Sequence, residues 1–248
     1  DPTYQSVSGV PSFDTWVQNG VTVDKSAAAD LRIGNDGTGM VARSFMNFDA
    51  SLFKGRAVRR ANLSLFGSYS STCSQTEFAA YDAGLATTSS RWTAQPTLGA
   101  KRATSTSTVG QSASCPAARI SIDMTAQAQG WSTTTASQVG MMLGATNVTN
   151  AYGWKIFHSS EGQNKPAITV WYNRTPDMPV APTVAGVVSA TTSSGVKKFI
   201  GVAKPTISVP VKDADVDTVT AVISRFTSAT SLTPAAELCR GTAASGGT

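Results

Sequence analysis

Histidine is all but missing from this chain, glutamate is scarce and no long apolar run occurs, and each shortage closes off a class of function. The single histidine, His158, stands at the end of an expected strand beside Ser159 and Ser160. No Gly-x-Ser-x-Gly segment offers an elbow-borne serine for it, which argues against a Ser/His/Asp hydrolase. Glutamate occurs only at Glu77, Glu161 and Glu237, and the aspartates lie mostly in turns and caps. The opposed carboxylates of a glycosidase are therefore not visible in the sequence. Glycines fall at turns, with neither a Gly-x-Gly-x-x-Gly nor a P-loop, so no nucleotide cofactor is indicated. The apolar runs are far too short to span a bilayer, and no basic and apolar leader opens the sequence. Asp1 reads as the start of a fragment or of a processed chain, and the expectation is a non-enzymatic protein with no membrane insertion.

Charge is also sparse, at 14% of residues, yet the balance is +5 with a pI of about 9.2. The densest basic knot, Lys54-Gly55-Arg56-Ala57-Val58-Arg59-Arg60, reads as a solvated loop rather than a nucleic-acid surface. Attraction to an anionic cell-wall polymer or an acidic polysaccharide fits better, and would be salt-sensitive. Of three cysteines, Cys73 and Cys115 each sit in Ser/Thr-rich, turn-like surroundings, with no second Cys or His at zinc-ligand spacing. A Cys73–Cys115 disulfide is the expectation, and with it a secreted, extracellular or cell-surface location. Cys239 is left to pair beyond Thr248 or to stay free.

What the chain has in quantity is period-two patterning broken by turn residues. Asp30-Leu31-Arg32-Ile33-Gly34-Asn35-Asp36-Gly37 and Arg43-Ser44-Phe45-Met46-Asn47-Phe48-Asp49 read as the arms of a hairpin. On the return arm Ser44, Met46 and Phe48 share one face and Arg43, Phe45, Asn47 and Asp49 the other, so both faces carry an aromatic. Further strands are expected at 13–17, 61–66, 77–81, 119–123, 139–143, 154–158 and 167–172. The stretch from Thr87 to Ser114, poor in apolar residues, reads as a long excursion pinned by Trp92. Met124 to Trp131 is the one persuasive helix, capped by Asp123 and stopped by Gly130. About nine strands at this spacing indicate an all-β jelly-roll β-sandwich with one short helix over residues 1–174.

Proline then punctuates 175–183 as a linker. Beyond it, 184–248 carries two alternating strands, Pro205–Val211 and Thr218–Phe226, and reads as a partial Ig-like β-sandwich. Between them Asp213, Asp215 and Asp217 alternate closely enough for their carboxylates to converge on calcium, or to form a charged interstrand turn. Asn35 with Asp36 is a weaker candidate for a ligand.

With these segments in order, residues 1–174 resemble the DNRLRE domains, jelly-roll modules related to carbohydrate-binding modules. The resemblance rests on Asp30-Leu31-Arg32-Ile33-Gly34-Asn35-Asp36, Arg43 to Asp49, Ala61-Asn62-Leu63-Ser64-Leu65, Ile122-Asp123-Met124-Thr125 and Tyr152-Gly153-Trp154-Lys155-Ile156-Phe157. The opening Asp1-Pro2-Thr3-Tyr4, the paired cysteines and the closing proline linker look like versions found in actinobacterial giant surface proteins, some with Rhs repeats. The following segment is similar to Ig-like modules whose acidic loop commonly has Gly where Val216 stands here. The resemblance implies a non-catalytic adhesive or structural module joined to neighbouring domains of a larger secreted chain. The alternatives are a carbohydrate-binding module and a subunit of an extracellular fibre or toxin shell. A glycan would be met by aromatic planes with a few polar partners. Trp92, in the polar excursion, is the leading candidate, with Trp16 and Tyr152 as further ones, while Trp131 and Trp154 are expected in the core.

Overall fold

The computed structural model describes residues 4–174, 176–193, 195–201, 206–213, 218–225 and 236–244. Gln5–Asn173 forms one compact unit, and Arg174–Thr248, with Asp1–Tyr4, forms another. The first unit runs β1 (Gln5–Gly9), β2 (Phe13–Gln18), β3 (Asp30–Asn35), β4 (Val41–Asp49), β5 (Ala57–Ser70), β6 (Phe78–Ala83), β7 (Leu98–Ser105), β8 (Ala118–Asp123), α1 (Thr125–Trp131), β9 (Gln138–Ala145), β10 (Lys155–His158) and β11 (Ala167–Asn173). Its strands pair antiparallel in one curled sheet that folds into two layers.

The first layer is built on β5. Asn62 to Gly67 pair with β8 on one edge of it. On the other edge β11 pairs with Ala57 to Ser64 and β10 with Gly67 to Ser70, so β10 and β11 act as one strand interrupted by residues 159–166. β1 extends this layer beyond β11. The second layer has the order β2, β4, β9, β6, β7. Alternation drives the packing: Met46 and Phe48 of β4, Leu63 and Leu65 of β5, Ile122 of β8, Leu143 of β9 and Ile168 and Val170 of β11 meet in one buried cluster between the layers. Each such side chain contributes roughly 1.5–3 kcal/mol on burial. Trp131 of α1 closes one end of the cluster, 4.8 Å from Phe53 and 6.3 Å from Phe48, ring centre to ring centre. As expected, Trp131 and Trp154 are both buried.

All nine expected strands of this unit are present, and four details differ. β3 and β4 are joined only at Gly34 with Ala42 and Asn35 with Val41; Asp30 to Ile33 instead pair with β10, so the expected hairpin carries the chain from one layer to the other. Gly34 makes that crossing possible, because it holds φ at +93° and a Cβ there would meet the Gly153 carbonyl carbon at 2.6 Å. β1 and β7 were not anticipated. β7 is an edge strand bonded only to β6 and rich in small and basic residues, which leaves no buried alternation to read. The expected excursion is therefore two loops, 84–97 and 106–117, on either side of it. Gly130 does not stop α1, which continues to Trp131, while Asp123 does receive the Thr125 N–H at 2.9 Å.

In the other unit the described residues form three separate two-stranded ladders: β12 (Thr183–Val184) with β15 (Ile207–Ser208), β13 (Val187–Thr192) with β14 (Gly195–Ile200), and β16 (Thr218–Arg225) with β17 (Ala236–Ala244). Asp213 is buried, and Asp215 and Asp217 of the expected calcium loop lie outside the described residues. No group of three His, Cys, Asp or Glu side chains able to hold a metal is found among the described residues. No helix among them is long and apolar enough to cross a membrane.

Candidate functional site

Each layer has an outer face, and the two differ. On the second layer the alternation of β4 that points Met46 and Phe48 inward turns Arg43, Phe45 and Asn47 outward. Phe45 is nevertheless fully buried, in a second apolar cluster with Val17, Ala86 and Met142, against which Phe13, Tyr81 and Trp92 pack. The lid over this cluster is the 84–97 loop. Asn47 clamps it at both ends of one peptide position, donating to the Ala86 carbonyl at 2.9 Å and accepting the Ala86 N–H at 3.0 Å. Two hydrogen bonds from one buried amide hold a loop more firmly than its own composition would, since losing either leaves a buried polar group unsatisfied.

Where the lid ends, a groove of ≈ 200 Å³ opens on this face. Met142 and Gly144 of β9 form its floor, Arg43 and Tyr81 stand at its sides, and Leu98, Gly99 and Val148 line its rim. Arg43 links groove and lid: its guanidinium lies 5.1 Å from the centre of the Trp92 ring and donates to Gln95 Oε1 at 3.0 Å. Gln95 in turn donates to the Trp92 carbonyl at 2.9 Å. A half-buried indole capped by a guanidinium, beside a shallow groove flanked by a phenol, forms a surface able to hold a hydroxyl-rich ligand against Tyr81 and to hydrogen-bond its edge through Arg43. Lys101, level with Tyr81 on β7, adds positive charge beside it, while the charge of Arg102 is met by Asp82 at 2.6 Å.

The expected site residues are not brought together. Trp92 does not line the groove itself; it packs on the neighbouring Phe45 cluster and reaches the groove only through Arg43. Trp16 is a correction: it is 4% exposed, with Arg32 at 4.5 Å and Lys25 at 5.2 Å over its ring, so no open face remains for a sugar. Its burial follows from β2, where Asp14, Trp16 and Gln18 stand opposite Met46, Ser44 and Ala42 and so face inward. Tyr152, on the 151–153 turn, is 63% exposed and has no part in the groove lining. Asn35 and Asp36 are occupied by their own turn. Asn35 accepts the Gly37 N–H, and Asp36 accepts from Thr38, Met40 and Gln18. Burial pushes the Asp36 carboxyl up, but these donors outweigh it and hold the group below the ordinary range. Arg43, Tyr81 and Gln95 were not singled out from the sequence. The available signal was Arg43 sharing the outward face of β4 with Phe45, an aromatic that needs a cover.

The Cys73–Cys115 disulfide is not formed in this structure; both are free thiols. They are neighbours all the same, since the Cys115 thiol is what chiefly pushes the Cys73 thiol above its ordinary range. Cys73 donates to Gln111 Oε1 at 3.3 Å, and Cys115 to the Thr108 carbonyl at 3.6 Å. Beneath the same loop Lys155 is buried, its ammonium donating to Thr76 Oγ1 and Thr108 Oγ1 at 2.9 and 3.0 Å, and burial pushes it down to about 8.

The fold also assembles a carboxylate pair that the sequence hid. Asp14 of β2 is buried, accepts the Ser160 N–H at 2.8 Å and is pushed up to about 7, first by burial and then by the Glu161 charge. Asp14 is 2% exposed, while Glu161 lies at the surface. His158 has a structural role: its Nδ1 accepts the Asn164 N–H at 3.2 Å and its ring lies 4.8 Å from Phe66.

Compared with protein families, residues 5–172 match the model of Carbohydrate-binding module family 96. No curated protein matches the chain.

Proposed function

The chain belongs to carbohydrate-binding module family 96, and from that membership we propose that its first unit is a non-catalytic module that holds a polysaccharide in the groove flanked by Arg43 and Tyr81, with Trp92 beside it. The observation that carries this reading is Arg43, seated over the Trp92 ring, braced by Gln95 and facing an open groove. A sugar ring set in the groove buries apolar C–H surface against Tyr81 and the exposed edge of Trp92, while the Arg43 guanidinium donates to hydroxyl or carboxylate oxygens at the ring edge. The net charge of +5 favours an acidic polysaccharide over a neutral one and makes binding fall as salt rises. Family membership thus favours the carbohydrate-binding alternative over the adhesive spacer. The spacer reading keeps a place for the second unit, as an Ig-like or other connecting segment in a larger secreted or cell-surface protein of the DNRLRE type.

Affinity electrophoresis tests the site. Gels cast with polygalacturonate or hydroxyethyl cellulose should retard the wild-type chain in at least one case. The combined Trp92→Ala and Arg43→Gln variant should weaken that retardation by about tenfold, equivalent to roughly 1.4 kcal/mol. Wild-type mobility unchanged by any polysaccharide would defeat the reading. The neighbouring thiols belong to the same extracellular reading: under oxidising conditions Cys73 and Cys115 should be recovered as one disulfide-linked peptide in non-reducing mass spectrometry.

A further inference from the structure

The outer face of the first layer differs from the lidded one: among the described residues it carries no second buried apolar cluster. Its alternation turns Arg60, Asn62, Ser64 and Phe66 of β5 outward, with Thr169 and Trp171 of β11 beside them. Arg60 is exposed and the others are half-buried, while Ala61, Leu63 and Leu65 between them are buried. A purely solvating face would carry short polar and charged side chains. This one has an aromatic at each end: Trp171, with the Arg60 guanidinium 5.1 Å from its centre, and Phe66, whose ring centre is 4.8 Å from that of His158 with the planes tilted by 47°. From Arg60 to Phe66 is six residues of strand, about 20 Å, long enough for several sugar rings in a row. The floor between is a hydroxyl and amide row, with Ser8 and Thr169 hydroxyls 2.8 Å apart and Asn62 next in register.

Charge on this face is positive where it is free. Arg32 is spent on Asp30 at 2.7 Å, and Asp123, opposite Asn62 on β8, accepts the Thr125 N–H and offsets part of the Arg60 charge. Arg119 reaches across β5 to Ser64 Oγ and the Lys165 carbonyl, both at 3.3 Å, and neither it nor Arg60 has a carboxylate within ion-pair distance among the described residues. Two guanidiniums with no carboxylate in ion-pair contact, against the single nearby charge of Asp123, flank a polar floor with aromatic ends and fit an extended acidic polysaccharide lying along β5.

We propose that this open face is a second polysaccharide-binding surface, so that one module holds two acidic chains on opposite sides of the sandwich and cross-links them. The inference rests on the carbohydrate-binding reading above but not on its groove. Two sites on opposite faces cannot serve one short ligand, whereas two long polymers can each occupy one, and bridging is then a property of the monomeric module.

The test pairs retardation in polygalacturonate gels with light scattering of dilute polygalacturonate titrated with the full chain. Wild type should be retarded and should raise scattering through bridging. The variant Arg60→Gln with Arg119→Gln, changed only at exposed side chains, should lose bridging and keep retardation; Trp171→Ala should do the same. The groove variant Trp92→Ala with Arg43→Gln should also lose bridging yet keep residual retardation through the open face. If the groove variant abolishes all retardation while the open-face variants bridge as wild type does, the second surface is overturned and the groove stands. If wild type is not retarded in polygalacturonate, this proposal falls, and the hydroxyethyl cellulose gel decides whether the carbohydrate-binding reading falls with it.

Discussion

The two outer faces of the sandwich start from the same alternation and end differently because of what the chain does next. On the second layer the outward Phe45 gains a cover, the 84–97 loop fixed by Asn47, and becomes as deeply buried as the core. On the first layer the outward Phe66 gains only a tilted contact with the His158 ring and stays half-buried. An apolar residue on a sandwich surface thus becomes core or contact surface according to whether a loop returns over it, and the groove lies where the returning loop stops short.

The largest test of that contrast is truncation of the two phenylalanines. Phe45→Ala should cost about 3–5 kcal/mol in chemical denaturation, the range for emptying a buried aromatic site. Phe66→Ala should cost about 1 kcal/mol or less, as expected for a half-buried side chain. Equal losses would mean that the open face is packed as tightly as the lidded one. Next in size is the clamp. Asn47→Ala should destabilise by about 1–3 kcal/mol, because the Ala86 N–H and carbonyl are both left unsatisfied. It should also expose the 84–97 loop to limited proteolysis ahead of any other segment of the first unit.

Smaller per unit of change is the effect of pH, which separates the layers through one buried charge in each. Asp14, on β2, has its folded value raised to about 7 from an ordinary 3.8, so the folded state holds a proton that the unfolded state has lost. Stability should therefore fall as pH rises through that window, with a limiting slope of about 1.4 kcal/mol per pH unit. Lys155, on β10, is lowered to about 8 from 10.5, so between those values the unfolded state holds the extra proton and stability should rise with pH. Thermal melts from pH 4 to 10 should pass through a minimum between the windows. Asp14→Asn should flatten the acid limb alone, and Lys155→Met the alkaline limb alone. A melting temperature flat from pH 4 to 7 would show that the Asp14 carboxyl is hydrated rather than buried.

Much of the strand order was legible. Ala61 to Phe66, Arg119 to Asp123 and Arg43 to Asp49 alternate cleanly because each has one face on the same core, and that burial pattern is a local property of sequence. The unusual return strand of the Asp30–Asp49 segment, aromatic on both faces, already indicated that both faces are occupied. β1 and β7 were not legible, since an edge strand with short or basic side chains buries no alternating face. Trp16 illustrates the opposite failure. Its sequence neighbours, Thr15 and Val17, do not show that Arg32 and Lys25 from other segments will lie over its ring.

By itself, then, the sequence determined that the first unit is an all-β sandwich with Met46, Phe48, Leu63 and Leu65 inside and Arg43 and Phe45 on the other side of their strand. Local periodicity and turn chemistry suffice for that. Only the tertiary structure decided which outward residues are covered, that Arg43 meets Trp92 and Gln95 from a loop about fifty residues away, that Asp14 faces Glu161 and that Cys73 stands beside Cys115. Those pairings depend on where loops return across the sheets, and a loop's path is set by the long-range contacts at its ends rather than by its own residues.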